Sequence, residues 1–247
     1  MKKLTGKTAL VTGGNSGIGY AAAQELVAQG ATVIITGRRV AALAKAAAEI
    51  GAAYFVADQA SLEDTNTLVA EVKQQYGHLD ILFVNAGITG HQLLIADATE
   101  ENFDQVMNIN FKGAYFTLSK FIPLLADGAS VVMLSSIVAN MYKPMSSMYQ
   151  ASKAALNSIA KTAAAELAAR KIRVNIVSPG PTRTEVLSKT GADQQAVEAT
   201  YEHLKSIIPL RQIGTAGDVA KMVAYLCDDA AGFITGAEFV MDGGLTI

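Results

Sequence analysis

Tyr149-Gln-Ala-Ser-Lys153 sets a phenol and an ammonium four residues apart, on one face of a helix. Such a pair can do acid–base chemistry. A free tyrosine titrates near ~10, so work near neutral pH requires a drop of about three units, or roughly 4 kcal/mol. A lysine charge ~4 Å away at an effective dielectric of ~20 supplies about 4 kcal/mol before desolvation losses. The same spacing recurs at Tyr201-Glu-His-Leu-Lys205, and each tyrosine has a serine upstream at the same offset, Ser136 and Ser188. Context separates the two sets. Ser136 follows the apolar run Val131–Leu134, at a strand end where ligands bind in α/β sheets, whereas Ser188 lies in a polar stretch. Tyr149 and Lys153 are therefore the functional pair, and Tyr201 and Lys205 read as a surface helical pair.

A second constellation opens the chain. Thr8-Ala-Leu-Val-Thr-Gly-Gly-Asn-Ser-Gly-Ile-Gly19 joins an apolar strand to a helix through Gly13, Gly17 and Gly19. Glycine lets the backbone approach a ligand closely, and the following helix offers free N–H groups at the positive end of its dipole. Gly13, Asn15, Ser16, Gly17, Ile18 and Gly19 are the candidate contacts to a nucleotide phosphate. The spacing is G-x3-G-x-G, which departs from the standard G-x-G-x-x-G dinucleotide fingerprint.

The elements that position these groups alternate. Apolar runs at Thr8–Thr12, Thr32–Thr36, Ala53–Ala57, Ile81–Val84, Val131–Leu134, Ile172–Val177 and Glu238–Met241 read as strands. Helical spacing covers Ile18–Gln29, Val40–Ile50, Leu62–Tyr76, Asn102–Leu125, Met148–Arg170 and Gly217–Cys227. Strands apolar throughout, each followed by a helix, predict an α/β fold: a Rossmann-type doubly wound parallel sheet of about seven strands, helices on both faces, in a single domain spanning 1–247. The composition, 51% hydrophobic and 17% charged, suits a sheet buried on both sides and a surface partly hidden between subunits. Net charge is −2 and no basic patch is visible, which argues against a nucleic-acid partner. Cys227 stands alone in an apolar helical run and reads as packing. The N-terminus lacks a signal-peptide core and no run is long enough for a membrane helix, so a cytoplasmic protein is expected. His78, His91 and His203 have no metal-ligand spacing.

The second strand ends Ile34-Ile35-Thr36-Gly37-Arg38-Arg39. Dinucleotide folds often carry an acid here that binds the adenosine ribose. Gly37 replaces it and Arg38 follows, which favours a 2′-phosphate and hence NADP(H) over NAD(H), with NAD(H) the second option. The alternative is that Arg38 and Arg39 are solvated charges, and Ser16 supplies no second basic residue. Asp58 and Gln59 can reach an adenine edge or cap the next helix. Asn85-Ala86-Gly87 can let the backbone pass close to a ribose or form a plain turn.

Taken together, Thr12-Gly-x3-Gly-x-Gly19, Asn85-Ala-Gly87, Asn110-x2-Gly113, Ser136, Tyr149-x3-Lys153, Pro179-Gly180-x3-Thr184 and Asp242-Gly-Gly244 resemble the single-domain short-chain dehydrogenases/reductases over essentially the whole chain. That resemblance implies roles. Tyr149 is the general acid or base, Ser136 holds the substrate oxygen, and Lys153 binds the nicotinamide ribose and lowers the Tyr149 pKa. Asn110 holds a water linking Lys153 to solvent, and Pro179, Thr182 and Thr184 orient the nicotinamide. Val84 stands where the family often has a further asparagine, a position that supports the sheet more than the chemistry.

Three stretches are expected to line the substrate pocket: Ile88–Ile95, Ile137–Met148, and a lid over 185–209. Met141, Tyr142 and Met145 form an apolar wall or pack elsewhere. The acids in the lid disfavour a highly anionic substrate. The expected partner is a small carbonyl or alcohol, reduced with NADPH or oxidised in reverse. A 3-oxoacyl-[acyl-carrier-protein] reductase is the alternative; Arg170 and Lys171 would help dock an acidic carrier, and Asp127 opposes it. A non-catalytic nucleotide-binding regulator is the alternative of another class. The resemblance further implies a homotetramer or homodimer built on Asn102–Leu125 and Met148–Arg170. The alanines of the second helix suit an interface or packing on its own sheet.

Overall fold

The computed structural model describes residues 2–183 and 194–247. Strands β1 (Thr8–Thr12), β2 (Thr32–Gly37), β3 (Ala53–Val56), β4 (Leu79–Val84), β5 (Leu125–Leu134), β6 (Arg173–Pro179) and β9 (Glu238–Met241) form one sheet in the order β3-β2-β1-β4-β5-β6-β9. Every pairing in it is parallel. Between β6 and β9 lies a small parallel pair, β7 (Thr182–Arg183) and β8 (Gly214–Thr215), which the sequence did not signal.

The runs are apolar at consecutive positions because both faces are covered. In β1, Ala9 and Val11 face one core while Leu10 faces the other, and Val132 in β5 opposes Val131 and Met133 in the same way. Helices α1 (Gly17–Ala28), α2 (Val40–Ile50) and α8 (Ala216–Cys227) cover the first face. Helices α3 (Leu62–Tyr76), α5 (Ala114–Phe121) and α6 (Ser147–Leu167) cover the second. Strand order reverses between β1 and β4, so a crevice opens there at the carboxyl ends of the strands.

The expected helix over Asn102–Leu125 is not continuous. It comprises α4 (Glu100–Met107), a π-helical turn over Asn108–Gly113, and α5, before Pro123 ends the run. A Cβ on Gly113 would stand 2.3 Å from the Gln59 carbonyl oxygen, so the backbone is pressed against the β3–α3 connection at that point. The distortion sits on Asn110, in keeping with the tendency of π-bulges to occur at functional sites. Helix α7 spans Gln194–Ile207. No helix among the described residues is long and apolar enough to cross a membrane.

Candidate active site

The glycine turn is braced from β4. The Asn85 side-chain amide donates to the carbonyls of Thr12 (2.8 Å) and Gly13 (3.2 Å), and Thr12 Oγ1 accepts the N–H groups of Asn85 (2.9 Å) and Ala86 (3.0 Å). Asn85 thus holds the turn with its side chain, and Thr12 is a structural member that spacing alone did not single out. Gly13 has φ +66°, and a Cβ on Gly19 would collide with the Gly13 carbonyl oxygen at 2.3 Å. Ile18 packs partly buried against the core. Helix α1 begins after Ser16 with no side-chain cap and no acid in its first turn. Within the turn, Asn15 Nδ2 is buried and has no hydrogen-bond partner.

At the end of β2, a Cβ on Gly37 would lie 2.9 Å from Asn15 Oδ1, so a larger residue would displace Asn15. Arg38 reaches Asp58 at 3.7 Å, with both side chains partly exposed. Gln59 points elsewhere. Its amide donates to the carbonyls of Ala86 (3.0 Å) and Ile109 (2.9 Å), tying the Asn85–Gly87 turn to the π-turn. Neither Asp58 nor Gln59 caps α3; Ser61 does, accepting the Asp64 N–H at 3.1 Å.

The candidate catalytic residues gather where β5 and β6 end. Ser136 begins a short 3-10 turn, and its hydroxyl reaches the Pro179 carbonyl at 3.4 Å. It also lies near enough to the Tyr149 phenol to favour its ionised form. Lys153 is buried, and its Nζ donates to the Leu134 carbonyl at 2.7 Å. Burial lowers the Lys153 pKa to about 8. Burial raises the Tyr149 phenol, and Ser136 is what opposes the rise. The ammonium sits 5.9 Å from the tyrosine ring centroid and is committed to Leu134.

Asn110 meets the same cluster from the π-turn. Its Oδ1 accepts the Ile88 N–H (2.8 Å) and its Nδ2 donates to the Ile88 carbonyl (2.7 Å) and to Ser152 Oγ (3.1 Å). A Cβ on Gly87 would meet Asn110 Oδ1 at 3.2 Å and Lys153 Nζ at 3.5 Å, so the turn packs directly on both. Thr182 Oγ1 donates to the Gly180 carbonyl at 3.0 Å, and Gly180 is pressed against Asp242. Thr184 lies outside the described residues.

A pocket opens beside Tyr149 between two of the stretches expected to line it. Leu93 N–H donates to the Met145 carbonyl at 3.1 Å, pinning the stretches together. Asn102, which spacing gave no reason to notice, accepts the His91 N–H (2.9 Å) and donates to the His91 carbonyl (3.0 Å) and to the Met148 sulfur (3.3 Å). Met145 and Met148 line this pocket, but Tyr142 is 97% exposed and forms no part of its wall. Residues 185–193 of the expected lid lie outside the described residues.

The second tyrosine–lysine pair is also corrected. Tyr201 is buried, with the Arg183 guanidinium 4.3 Å from its ring centroid, and only Lys205 is a surface residue, paired with Glu202 at 3.5 Å. Arg183 also forks onto Glu198, one turn before Tyr201 on α7, at 2.9 and 3.2 Å. Cys227 is buried and its thiol is pushed up to about 12 by that burial, so it packs rather than reacts.

A family model described as enoyl-(acyl carrier protein) reductase, of the short-chain alcohol dehydrogenase type, matches residues 13–246. The chain is 35% identical over 252 residues to the 3-oxoacyl-[acyl-carrier-protein] reductase FabG of Thermotoga maritima, covering 99% of this chain and 100% of that one. The chain belongs to the short-chain dehydrogenase/reductase family. It is also 34% identical over 249 residues to the oxidoreductase asL5 of Sarocladium schorii, covering 99% and 98% of the two chains. A solved short-chain dehydrogenase/reductase from Brucella melitensis superposes with a TM-score of 0.93 at 29% identity, covering all of both chains.

Membership makes this short-chain dehydrogenase/reductase an oxidoreductase acting on CH–OH or C=O groups, and implies use of NAD(P)(H). The residues present fit such a coenzyme. The uncapped start of α1 and the orphaned Asn15 amide both offer donors to an anion, and the glycines leave room for it.

Proposed function

We propose that the protein is an NADPH-linked reductase of a small ketone or aldehyde, or a secondary-alcohol dehydrogenase in the reverse direction. The observation that carries this reading is the gathering of Ser136, the Tyr149 phenol and the buried Lys153 ammonium beside a pocket that Tyr149 lines. Gly13, Asn15, Ser16, Gly17, Ile18 and Gly19 would hold the diphosphate, Arg38 and Asp58 the adenosine end, and Asn85, Ala86 and Gly87 the middle. Lys153, Pro179, Gly180, Thr182 and Thr184 would hold the nicotinamide end, which when bound exchanges a hydride with the carbonyl carbon.

The chain supplies the proton and the orientation. The Tyr149 hydroxyl gives its proton to the substrate oxygen as charge grows there, and Ser136 donates a hydrogen bond to the same oxygen. Lys153 keeps positive charge beside the resulting phenolate. Because the Asn110 side chain is committed to Ile88 and Ser152, a water held at this residue falls to its main chain.

A carrier-linked substrate has less support. Arg170, which would have helped dock an acidic carrier, is paired with Asp127 at 2.8 Å and caps the Ile122 and Leu125 carbonyls. We hold a homodimer or homotetramer as part of the proposal. Phe103 on α4 and Tyr115 on α5 are exposed aromatics on the expected interface, while Ala160, Ala163 and Ala164 of α6 pack on the chain's own sheet.

The test is oxidation of NADPH and NADH against simple ketones, diketones, aldehydes, sugars and a 3-oxoacyl thioester. Turnover with NADPH that disappears in Tyr149→Phe while coenzyme still binds is the expected result. Tight coenzyme binding with no turnover on any member would favour a regulatory role instead.

A further inference from the structure

The pocket beside Tyr149 has an uneven charge. Lys143 and His91 line it, and among the described residues no aspartate or glutamate does. Both side chains are exposed, and both main chains are held. The Lys143 carbonyl accepts the Gln150 side-chain amide at 2.6 Å, which fixes its main chain to α6. The main chain of His91 is held from both sides by Asn102. Among the described residues, neither Lys143 nor His91 has an acidic partner, although other cations of the molecule, such as Arg170 and Arg183, are paired. Leu93, Met145 and Met148 supply apolar wall in the same pocket, and Ser146 and Ser147 supply polar wall.

We infer that the substrate is a short oxo acid, or the matching hydroxy acid in reverse, with one carboxylate lying against Lys143. This rests on the carbonyl-reductase reading above and narrows it. The lining sets the chemistry of the ligand: a carbonyl at Tyr149, apolar atoms against the thioether and leucine side chains, and a negative charge at the lysine. One flexible ammonium without an arginine suits a monoanion better than a phosphate, which draws on paired, forked donors. A single charge is also compatible with the acids of the stretch after Thr184, which weigh against a highly anionic substrate. The uncapped start of α6, whose first residues reach the pocket, adds positive potential on the same side.

The test compares 3-oxobutanoate, 4-oxopentanoate and 5-oxohexanoate with their methyl esters in steady-state NADPH oxidation by the whole protein. A partly exposed ion pair gives a modest preference, so kcat/KM for the best acid should exceed that of its ester by roughly fivefold. In Lys143→Gln the acid should lose more than the ester, bringing the ratio close to one, and Lys143→Arg should restore much of it. Esters turned over as well as or better than acids would overturn the inference and leave the reductase reading standing. So would a Lys143→Gln variant that slows both equally. If Tyr149-dependent turnover is absent with every acid, every ester and the neutral panel above, the reading beneath it fails too.

Discussion

Asn110 and Ser152 are joined by a buried hydrogen bond of 3.1 Å, and Ser152 donates onward to the Tyr149 carbonyl at 2.8 Å. The π-turn is thereby fastened to the first turns of α6, from which both Tyr149 and Lys153 project. Ser152 is fully buried, so the bond has no water to replace it. Ser152→Ala should cost about 1 kcal/mol and Asn110→Ala, which also strands the Ile88 N–H and carbonyl, about 2–4 kcal/mol. Thermal unfolding should rank them in that order, with the asparagine variant melting several degrees below the serine one. Equal melting points would show that the brace to Ile88 is unimportant.

Lys153, proposed to act in the reaction, carries a charge where folding disfavours it. Its pKa is about 8 in the folded protein against 10.5 for a free side chain. Between those values the unfolded chain binds more protons than the folded one, so stability rises with pH across that window and the penalty is full below about pH 8. The difference corresponds to about 3 kcal/mol at most. Lys153→Met should therefore abolish turnover yet raise stability at pH 7 by about 1–3 kcal/mol, an advantage that shrinks toward pH 10. Denaturant titrations at several pH values measure it. A methionine variant less stable than the parent at pH 7 would mean that the bond to Leu134 outweighs the desolvation.

Arg38 and Asp58, proposed to hold the adenosine end of the coenzyme, pair with each other. Their 3.7 Å contact is exposed and worth no more than about 1 kcal/mol. Arg38→Ala should weaken NADPH by about tenfold while leaving NADH within about twofold, since a charge-assisted contact to phosphate is worth roughly 1.5–3 kcal/mol. Asp58→Asn should shift the ratio of dissociation constants toward NADPH by up to about fivefold, because the arginine is freed. Calorimetric titration of each coenzyme in both variants decides. An arginine variant that loses both coenzymes equally would remove the 2′-phosphate assignment.

The sheet was legible because its signal is local. Seven apolar runs correspond to seven paired strands, and the run Val131–Leu134 alone places Ser136 at a strand end. Extents were less legible: β5 begins at Leu125, six residues before the apolar run, with a register irregularity opposite Leu79–Ile81. What the sequence concealed depends on contacts distant in the chain. The π-turn follows from the press of Gly113 on Gln59, and Gln59 serves as a strut because two carbonyls from other segments come within its reach. Tyr142 and Tyr201 exchanged their expected environments, one outward and one buried, because a tyrosine suits either and only packing chooses.

Glu238 shows the same limit and is open to direct test. Three donors converge on its Oε1: the Ser178 hydroxyl at 2.6 Å, the Asn157 amide at 3.0 Å and the Asn140 amide at 3.4 Å. They come from the strand that ends at Pro179, from α6 one turn beyond Lys153, and from the turn begun by Ser136, so one carboxylate on β9 links the three segments that carry the reacting groups. Ser178 is fully buried and Asn157 nearly so. Glu238→Ala would leave their donors without an acceptor, at a cost of about 2–4 kcal/mol, lowering the melting temperature by roughly 5–10 °C. Glu238→Gln keeps a carbonyl oxygen for the same donors and should lose less than half as much. Because the link holds the Ser136 turn against α6, kcat should also fall in the alanine variant and return in the glutamine one. An alanine variant that melts with the parent would show that the three segments hold their places without Glu238.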